Sequence, residues 1–219
     1  MNTNNLLSHR NSEPESGVLY IVGTPIGNLE DISLRASKLL KKVSLIACED
    51  TRITGKLLKS ISISNKLISF HEYSSKERLN LLISKLKGGD SIALVSDAGM
   101  PLISDPGKHL VEEVKRNDLE VICIPGPCAA ITALVSSGLD CNQFTFFGFI
   151  PKSAQERRCT LKKICENQIT SIIYESPRRI IKLLNELKDL CGNERDIVVM
   201  KEITKRYEKH FGFKIGEVI

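Results

Sequence analysis

Short apolar runs rich in Val and Ile alternate along this chain with stretches of helical periodicity. The runs are VLYIV (18–22), VSLIAC (43–48), LISF (67–70), SIALVS (91–96), LEVICI (119–124), FTFFGFI (144–150), TSIIYE (170–175) and DIVVMK (196–201). Each has the length of one strand, and several are apolar at consecutive positions, the pattern of strands buried on both faces. Strand and helix in regular alternation predict an α/β fold with a largely parallel sheet covered by helices. The clearest helical stretch is 75–87, where Leu79, Leu82, Ile83 and Leu86 share a face. Ser74 and Glu77 suit a capping box at its start, and Gly88 follows as a stop.

At 219 residues the chain can form one large α/β domain or two small ones. A seam is expected around 126–142, where Pro-Gly-Pro closes one β-unit, a small-residue helix follows, and new β/α units begin at Phe144. Residues 1–16 are polar and lack the apolar core of a signal peptide, and no run approaches the roughly 20 apolar residues of a membrane span. These features imply a cytoplasmic protein with a frayed start and no membrane partner. The final FGFKIGEVI reads as a strand cut short with no closing helix, as in a truncated chain. Seven cysteines are odd in number and form no CxxC pair, so neither a disulfide framework nor a zinc site is expected. The net charge of +5 tilts toward an anionic partner.

Chemistry is expected where strands end. The segment SDAGMPLISDPG (96–107) follows an apolar strand and combines two Asp, two Gly and two Pro. Gly and Pro impose special backbone angles, and Asp binds backbone N–H groups or ligand hydroxyls. Such a loop at the carboxyl end of a strand is where open α/β sheets hold ligands, although a tight structural connection reads the same way. GTPIGN (23–28) has glycines that allow close backbone approach but is neither a GxGxxG nor a Walker loop. EDTR (49–52) reads equally as a reactive carboxylate pair or a solvated helix start. HEYSSKER (71–78) offers His71 and Glu72 as acid/base groups or as structural donors, and IPGPCAA (124–130) fixes a turn before a helix. No Ser/His/Asp, Cys/His or zinc spacing is legible. The set favours a bulky organic ligand held by backbone groups.

Together the strings LYIVGTPIGNLEDI (19–32), LIACEDTRITGKLL (45–58), ALVSDAGMPLISDPG (93–107), PGPCAAITAL (125–134), GFIP (148–151), YESPRR (174–179) and KEITK (201–205) resemble the tetrapyrrole methylase superfamily. They are closest to its ribosomal branch, the ribosomal RNA small subunit methyltransferase I proteins, which methylate a cytidine ribose 2′-oxygen. The resemblance covers about 17–219. It implies two α/β domains, 17–128 and 129–219 after a 1–16 tail, with a mostly parallel sheet in the first and a mixed sheet in the second. It further implies S-adenosylmethionine in a cleft between them, no metal, a homodimer, and small-subunit ribosomal RNA as partner.

Carried over by position, the resemblance implies that Ser96, Asp97, Ala98 and Gly99 line the cofactor pocket, with Asp97 as polar anchor. Pro125, Gly126, Ala129 and Ala130 would form the adjacent wall, with Tyr174 reaching in. Thr24, Pro25 and Gly27 would face substrate. Glu49, Asp50, His71 and Glu175 are the candidates for a base that activates a ribose hydroxyl, a contribution of roughly 10²- to 10⁴-fold. Arg52, Arg157, Arg158, Arg178 and Arg179 would meet RNA, although the runs QERRCTLKK and SPRRIIK also read as solvated helix faces. Met100 stands where the family usually has Thr, and Arg178 where it has His. The alternatives are a small-molecule methylase of the same fold and a non-catalytic cofactor-binding module on the ribosome.

Overall fold

The computed structural model describes residues 13–219. The expected tail at 1–16 therefore lies for the most part outside the described residues. Two compact units emerge: one holds the described residues up to Pro25 together with Leu29–Gly126, the other Ile26–Asn28 and Pro127–Ile219.

The first unit is a five-stranded sheet in the order β3-β2-β4-β1-β5. Its strands are β1 Leu19–Val22, β2 Leu45–Cys48, β3 Leu67–Ser69, β4 Ile92–Val95 and β5 Val121–Ile124, and all pair in parallel. Every residue of β1, β2 and β4 is buried, because helices cover both faces. The period of two then sorts side chains into separate layers. Tyr20, Val22, Ile46, Cys48, Ala93 and Val95 pack with Leu39, Leu40 and Leu58 of α1 (Leu34–Lys42) and α2 (Thr51–Ser60). Leu19, Ile21, Leu45, Ala47, Ile92 and Leu94 pack on the other side with Leu82, Leu86, Leu110 and Val114 of α3 (Lys76–Lys87) and α4 (Lys108–Arg116).

Helix starts follow local chemistry. Ser33 caps α1 by accepting from the Ala36 N–H at 3.0 Å, and Asp50 caps α2 by accepting from the Arg52 N–H at 2.8 Å. The cap of α3 is Ser75, whose hydroxyl accepts from the Arg78 N–H, and not Ser74. Ser74 is taken up by the preceding turn, where its hydroxyl accepts from the His71 N–H at 2.8 Å. The Ser75 hydroxyl also bonds Glu77 and holds its carboxyl below the usual range.

The second unit pairs β6 (Phe144–Phe149) with β7 (Thr170–Tyr174) in parallel and β8 (Asp196–Lys201) with β9 (Lys209–Lys214) in antiparallel. Parallel and antiparallel pairing both occur, but in two separate two-stranded sheets instead of one mixed sheet. The hydrogen bonds of β8 go to β9 over the whole register from Asp196↔Lys214 to Lys201↔Lys209. Around them stand α5 (Ala129–Ser136), α6 (Ala154–Glu166) and α7 (Ile180–Cys191). Leu161, Ile164, Leu183, Leu187 and Ile215 make the main core of this unit.

Two expectations are corrected in this unit. The chain end is not strand alone: after β9 it turns into a short helix, α8 (Ile215–Val218), because the Ile215 and Gly216 N–H groups bond the Arg195 and Asn193 carbonyls. The cysteines are not all free, since packing of α6 on α7 joins Cys165 to Cys191 in a disulfide with Cα atoms 5.7 Å apart.

The loops leaving β1 and β5 press backbone against backbone. A Cβ added at Gly23 would lie 2.6 Å from the Gly126 Cα, and one added at Gly126 would lie 2.7 Å from the Gly23 Cα. Neither loop can yield without dragging its strand. Gly23→Ala and Gly126→Ala are each expected to cost about 1–3 kcal/mol, the usual range for overpacking. Urea unfolding of each variant would measure it, and midpoints equal to the parent's would refute the close approach.

Candidate active site

The carboxyl edge of the first unit's sheet gathers the loops after β1, β2 and β4. Thr24 and Gly99 form an antiparallel bridge, with N–H···O distances of 2.9 and 3.1 Å. The buried Thr24 hydroxyl reaches the Ser96 and Gly99 carbonyls, and the buried Ser96 hydroxyl reaches those of Ala98 and Gly99. Asp97 accepts from the Asp50 N–H at 3.1 Å, which ties the β2 and β4 loops together. Gly99 (φ 87°) and Gly107 (φ 128°) have left-handed backbones, as do Leu102 (φ 72°) and Ser104 (φ 63°). For the last two this costs about 1–2 kcal/mol each. The loop is thus a built feature held by its surroundings. The Met100 thioether packs against Gly23, where a Cβ would meet its sulfur at 2.6 Å, and joins the neighbouring core.

Acidic groups crowd this edge. Burial pushes the Glu49 carboxyl up, reinforced by Asp97 and opposed by His71. Burial likewise raises Asp97, against the pull of the Asp50 N–H. Asp105 is raised furthest, to about 6, by burial and by the charges of Glu49 and Asp97, while the Ser96 hydroxyl acts against the shift. Asp50 goes the other way, to about 2, because the Arg52 side chain and backbone N–H bond its carboxylate. Its oxygens are engaged by capping α2 and by the exposed Arg52 guanidinium at 2.6 Å. A carboxylate so bound is a weak base. His71 is exposed, and its Nδ1 accepts from the Tyr73 N–H at 3.2 Å. Pro25 is buried, Ala98 and Pro125 are exposed, and Gly126 is half-buried.

The other sequence-predicted residues belong to the second unit. Gly27 lies beside Thr204 and Lys205, and the Asn28 N–H donates to the Thr204 hydroxyl at 3.1 Å. Ala129 and Ala130 open α5, where the Ala130 N–H donates to the Tyr174 hydroxyl at 3.0 Å. Tyr174 meets Phe146 and Phe149 edge-on. Beyond it, Glu175 bonds Arg179 Nη2 at 2.6 Å through a carboxylate that is 2% exposed. Arg157 is buried and donates to Glu186 through Nε at 2.8 Å and Nη2 at 2.6 Å. It is not presented to solvent, whereas Arg158 and Arg178 are exposed. Among the described residues no group of three or more His, Cys, Asp or Glu could hold a metal ion, and no helix is long and apolar enough to cross a membrane.

Asp105 and Glu186 were not singled out from sequence. Asp105 sits inside the very loop the sequence flags, as the Asp of an Asp-Pro-Gly turn. Glu186 gives no local signal, because its partner is 29 residues away.

A parallel α/β sheet with ligand-ready loops at its carboxyl edge, followed by a smaller α/β unit, is the fold of the porphyrinoid methyltransferases. Cobalt precorrin-4 methyltransferase superposes with a TM-score of 0.62 at 15% identity, covering 92% of this chain and 87% of that one. A uroporphyrin-III C-methyltransferase from Thermus thermophilus gives 0.63 at 16% identity, covering 91% and 86%. The family model for Tetrapyrrole (Corrin/Porphyrin) Methylases matches residues 18–219. Ribosomal RNA small subunit methyltransferase I of Vibrio cholerae is 48% identical over 92% of this chain and 70% of its own length. The Escherichia coli O157:H7 protein of that name is 44% identical over 96% and 74%, and that of Thermotoga maritima 44% over 93% and 90%. The chain therefore belongs to the tetrapyrrole methylase family, among its ribosomal RNA small subunit methyltransferase I members.

Asp105 makes stability depend on pH. Its folded-state value of about 6 lies above the ordinary 3.8, so the stability it permits is complete below about pH 4 and is lost as pH rises through 6. Asp105→Asn is expected to raise the melting temperature at pH 7.5 by roughly 2–4 °C and to change it little at pH 4. Equal shifts at both pH values in thermal denaturation would contradict the assignment.

Proposed function

We propose that this protein methylates the 2′-oxygen of a cytidine ribose in small-subunit ribosomal RNA, with S-adenosylmethionine as methyl donor. One observation supports the donor most directly: the half-buried carboxyls of Glu49, Asp97 and Asp105 gather at one edge, each raised by burial and by the charge of a neighbouring acid. Such an edge favours a positively charged ligand, and the donor's sulfonium is one. S-adenosylmethionine supplies a methyl group on a sulfur that is already a good leaving group. The residues that suit it are Ser96–Gly99, with Asp97 as anchor, and the tight Gly23 and Gly126 backbones, which leave no side chain in the way. The substrate reading rests on relatives 44–48% identical that carry the ribosomal RNA methyltransferase name. A tetrapyrrole substrate is not favoured, since the precorrin and uroporphyrin enzymes share only 15–16% identity and hence the fold alone.

In this reading the protein mainly aligns donor and acceptor, an effect of up to about 7–11 kcal/mol. We assign the base to Glu49, because Asp50 is pulled to about 2 by Arg52 and Glu175 is ion-paired to Arg179. Arg158 and Arg178 are the exposed cations offered to RNA phosphates, while Arg179 is committed to Glu175. The homodimer and the cytoplasmic location belong to the same proposal and rest on the resemblance.

Tritiated methyl transfer onto small subunits from cells lacking this modification tests the reading. Label on a cytidine ribose is expected, with Glu49→Gln lowering kcat about 100-fold or more while donor affinity stays within a few-fold. No label from the parent, beside a full-length relative that labels well, would end the proposal.

A further inference from the structure

The second unit has an open pocket of about 800 Å³ whose wall mixes apolar residues such as Ala129, Phe149 and Tyr174 with polar ones such as Glu175 and Arg195. One ionisable side chain in that wall is incompletely bonded. Glu175 directly follows β7, and its two carboxylate oxygens differ. Oε1 accepts from Arg179 Nη2 at 2.6 Å and from the Ser176 N–H at 2.8 Å. Oε2 is buried and has no hydrogen-bond partner. Arg157 Nη1 lies 3.7 Å from it, close enough to attract and too far to bond, and the Nε and Nη2 of Arg157 are committed to Glu186.

A buried carboxylate oxygen left without a donor is costly, and such groups usually have a functional reason. The charges narrow what that reason can be. Two guanidiniums, Arg157 and Arg179, and the exposed Lys182 face two carboxylates, Glu175 and Glu186, so cations already outnumber carboxylates in the cluster. A further cation is not called for, and a phosphate would be repelled by the acceptor oxygen itself. The missing partner is a neutral donor, such as a hydroxyl.

We infer that Glu175 is a ligand-binding carboxylate whose Oε2 accepts a hydrogen bond from a ribose hydroxyl. The inference rests on the methyl-transfer reading, whose donor and acceptor both carry ribose. It makes Glu175 a binding group and not the base, with Oε1 fixed by Arg179 and the Ser176 N–H and Oε2 left to accept from the ligand. The adenosyl ribose of the donor and a nucleotide ribose of the RNA are two sources of the same chemistry.

Isothermal titration separates them. The parent, Glu175→Gln and Glu186→Gln are titrated with S-adenosylhomocysteine, with its 2′-deoxy and 3′-deoxy analogues, and with a short small-subunit RNA and its 2′-deoxy counterpart. Glu175→Gln is expected to weaken one ribose ligand by roughly 10- to 100-fold, the range for a hydrogen bond to a charged group. The parent should lose a similar factor toward the matching deoxy analogue, a comparison that stands even if Glu175→Gln does not fold. Glu186→Gln should lower the melting temperature and leave affinity within a few-fold. Parent affinities equal for ribose and deoxy ligands, or a folded Glu175→Gln that binds every ligand like the parent, would overturn the inference alone. A parent that binds neither S-adenosylhomocysteine nor RNA would remove the methyl-transfer reading and this inference with it.

Discussion

Strand β1 is enclosed on every side. Its four residues are buried, β4 and β5 flank it in parallel, and helices lie over both faces. With each side chain surrounded by apolar neighbours, no polar group can sit on the strand itself without losing its hydration. Polar chemistry is forced to the strand ends. At the carboxyl end the strands stop almost level, so the loops after β1, β2, β4 and β5 emerge side by side. The backbone crowding of Gly23 against Gly126 is the direct result. So is the bridge from Thr24 to Gly99, which fixes the longest loop before any ligand contributes.

That fixity explains the electrostatics. Asp97 is held by the Asp50 N–H, and Asp105 is placed by a loop with left-handed backbone at Leu102 and Ser104. Burial raises both carboxyls, helped by the charge of Asp50 on Asp97 and by those of Glu49 and Asp97 on Asp105. Asp50 has the same charge and nearly the same place but keeps contact with solvent and with Arg52, and it falls to about 2. Difference in position, not in residue type, divides the acids into a structural cap and a half-buried pair.

The strands were legible because a doubly buried parallel strand is a continuous apolar run, a signal few other structures imitate. The capping-box spacing to Glu77 points to Ser74, whereas Ser75 caps α3 because Ser74 is taken up by the preceding turn, which no local pattern encodes. The Cys165–Cys191 pairing depends on how α6 packs on α7, which no spacing encodes. Arg157 was read as a surface cation because it sits in a basic run. Its spacing to Leu161 and Ile164 nevertheless places it on the buried face of α6, and that signal was available. Of the candidate site, the loops were legible and the roles were not. Whether a carboxyl is a cap, an ion-pair member or a free acceptor depends on partners far away in sequence.

The two units handle buried charge in opposite ways. In the second, Glu175 and Glu186 are each paired with cations, Arg157, Arg179 and Lys182. In the first, Glu49, Asp97 and Asp105 sit together while the nearby Arg52 spends its charge on Asp50 at the surface. Yet the whole chain carries +5. Three half-buried carboxyls are thus gathered at one sheet edge of a chain whose net charge is positive. Screening makes this division useful. At physiological salt the surface field fades over about 8 Å, enough to gather a polyanion such as RNA. Half-buried carboxyls are screened far less and act only on what enters among them. The net positive charge and the half-buried carboxyls therefore do not cancel, because the two fields operate at different ranges.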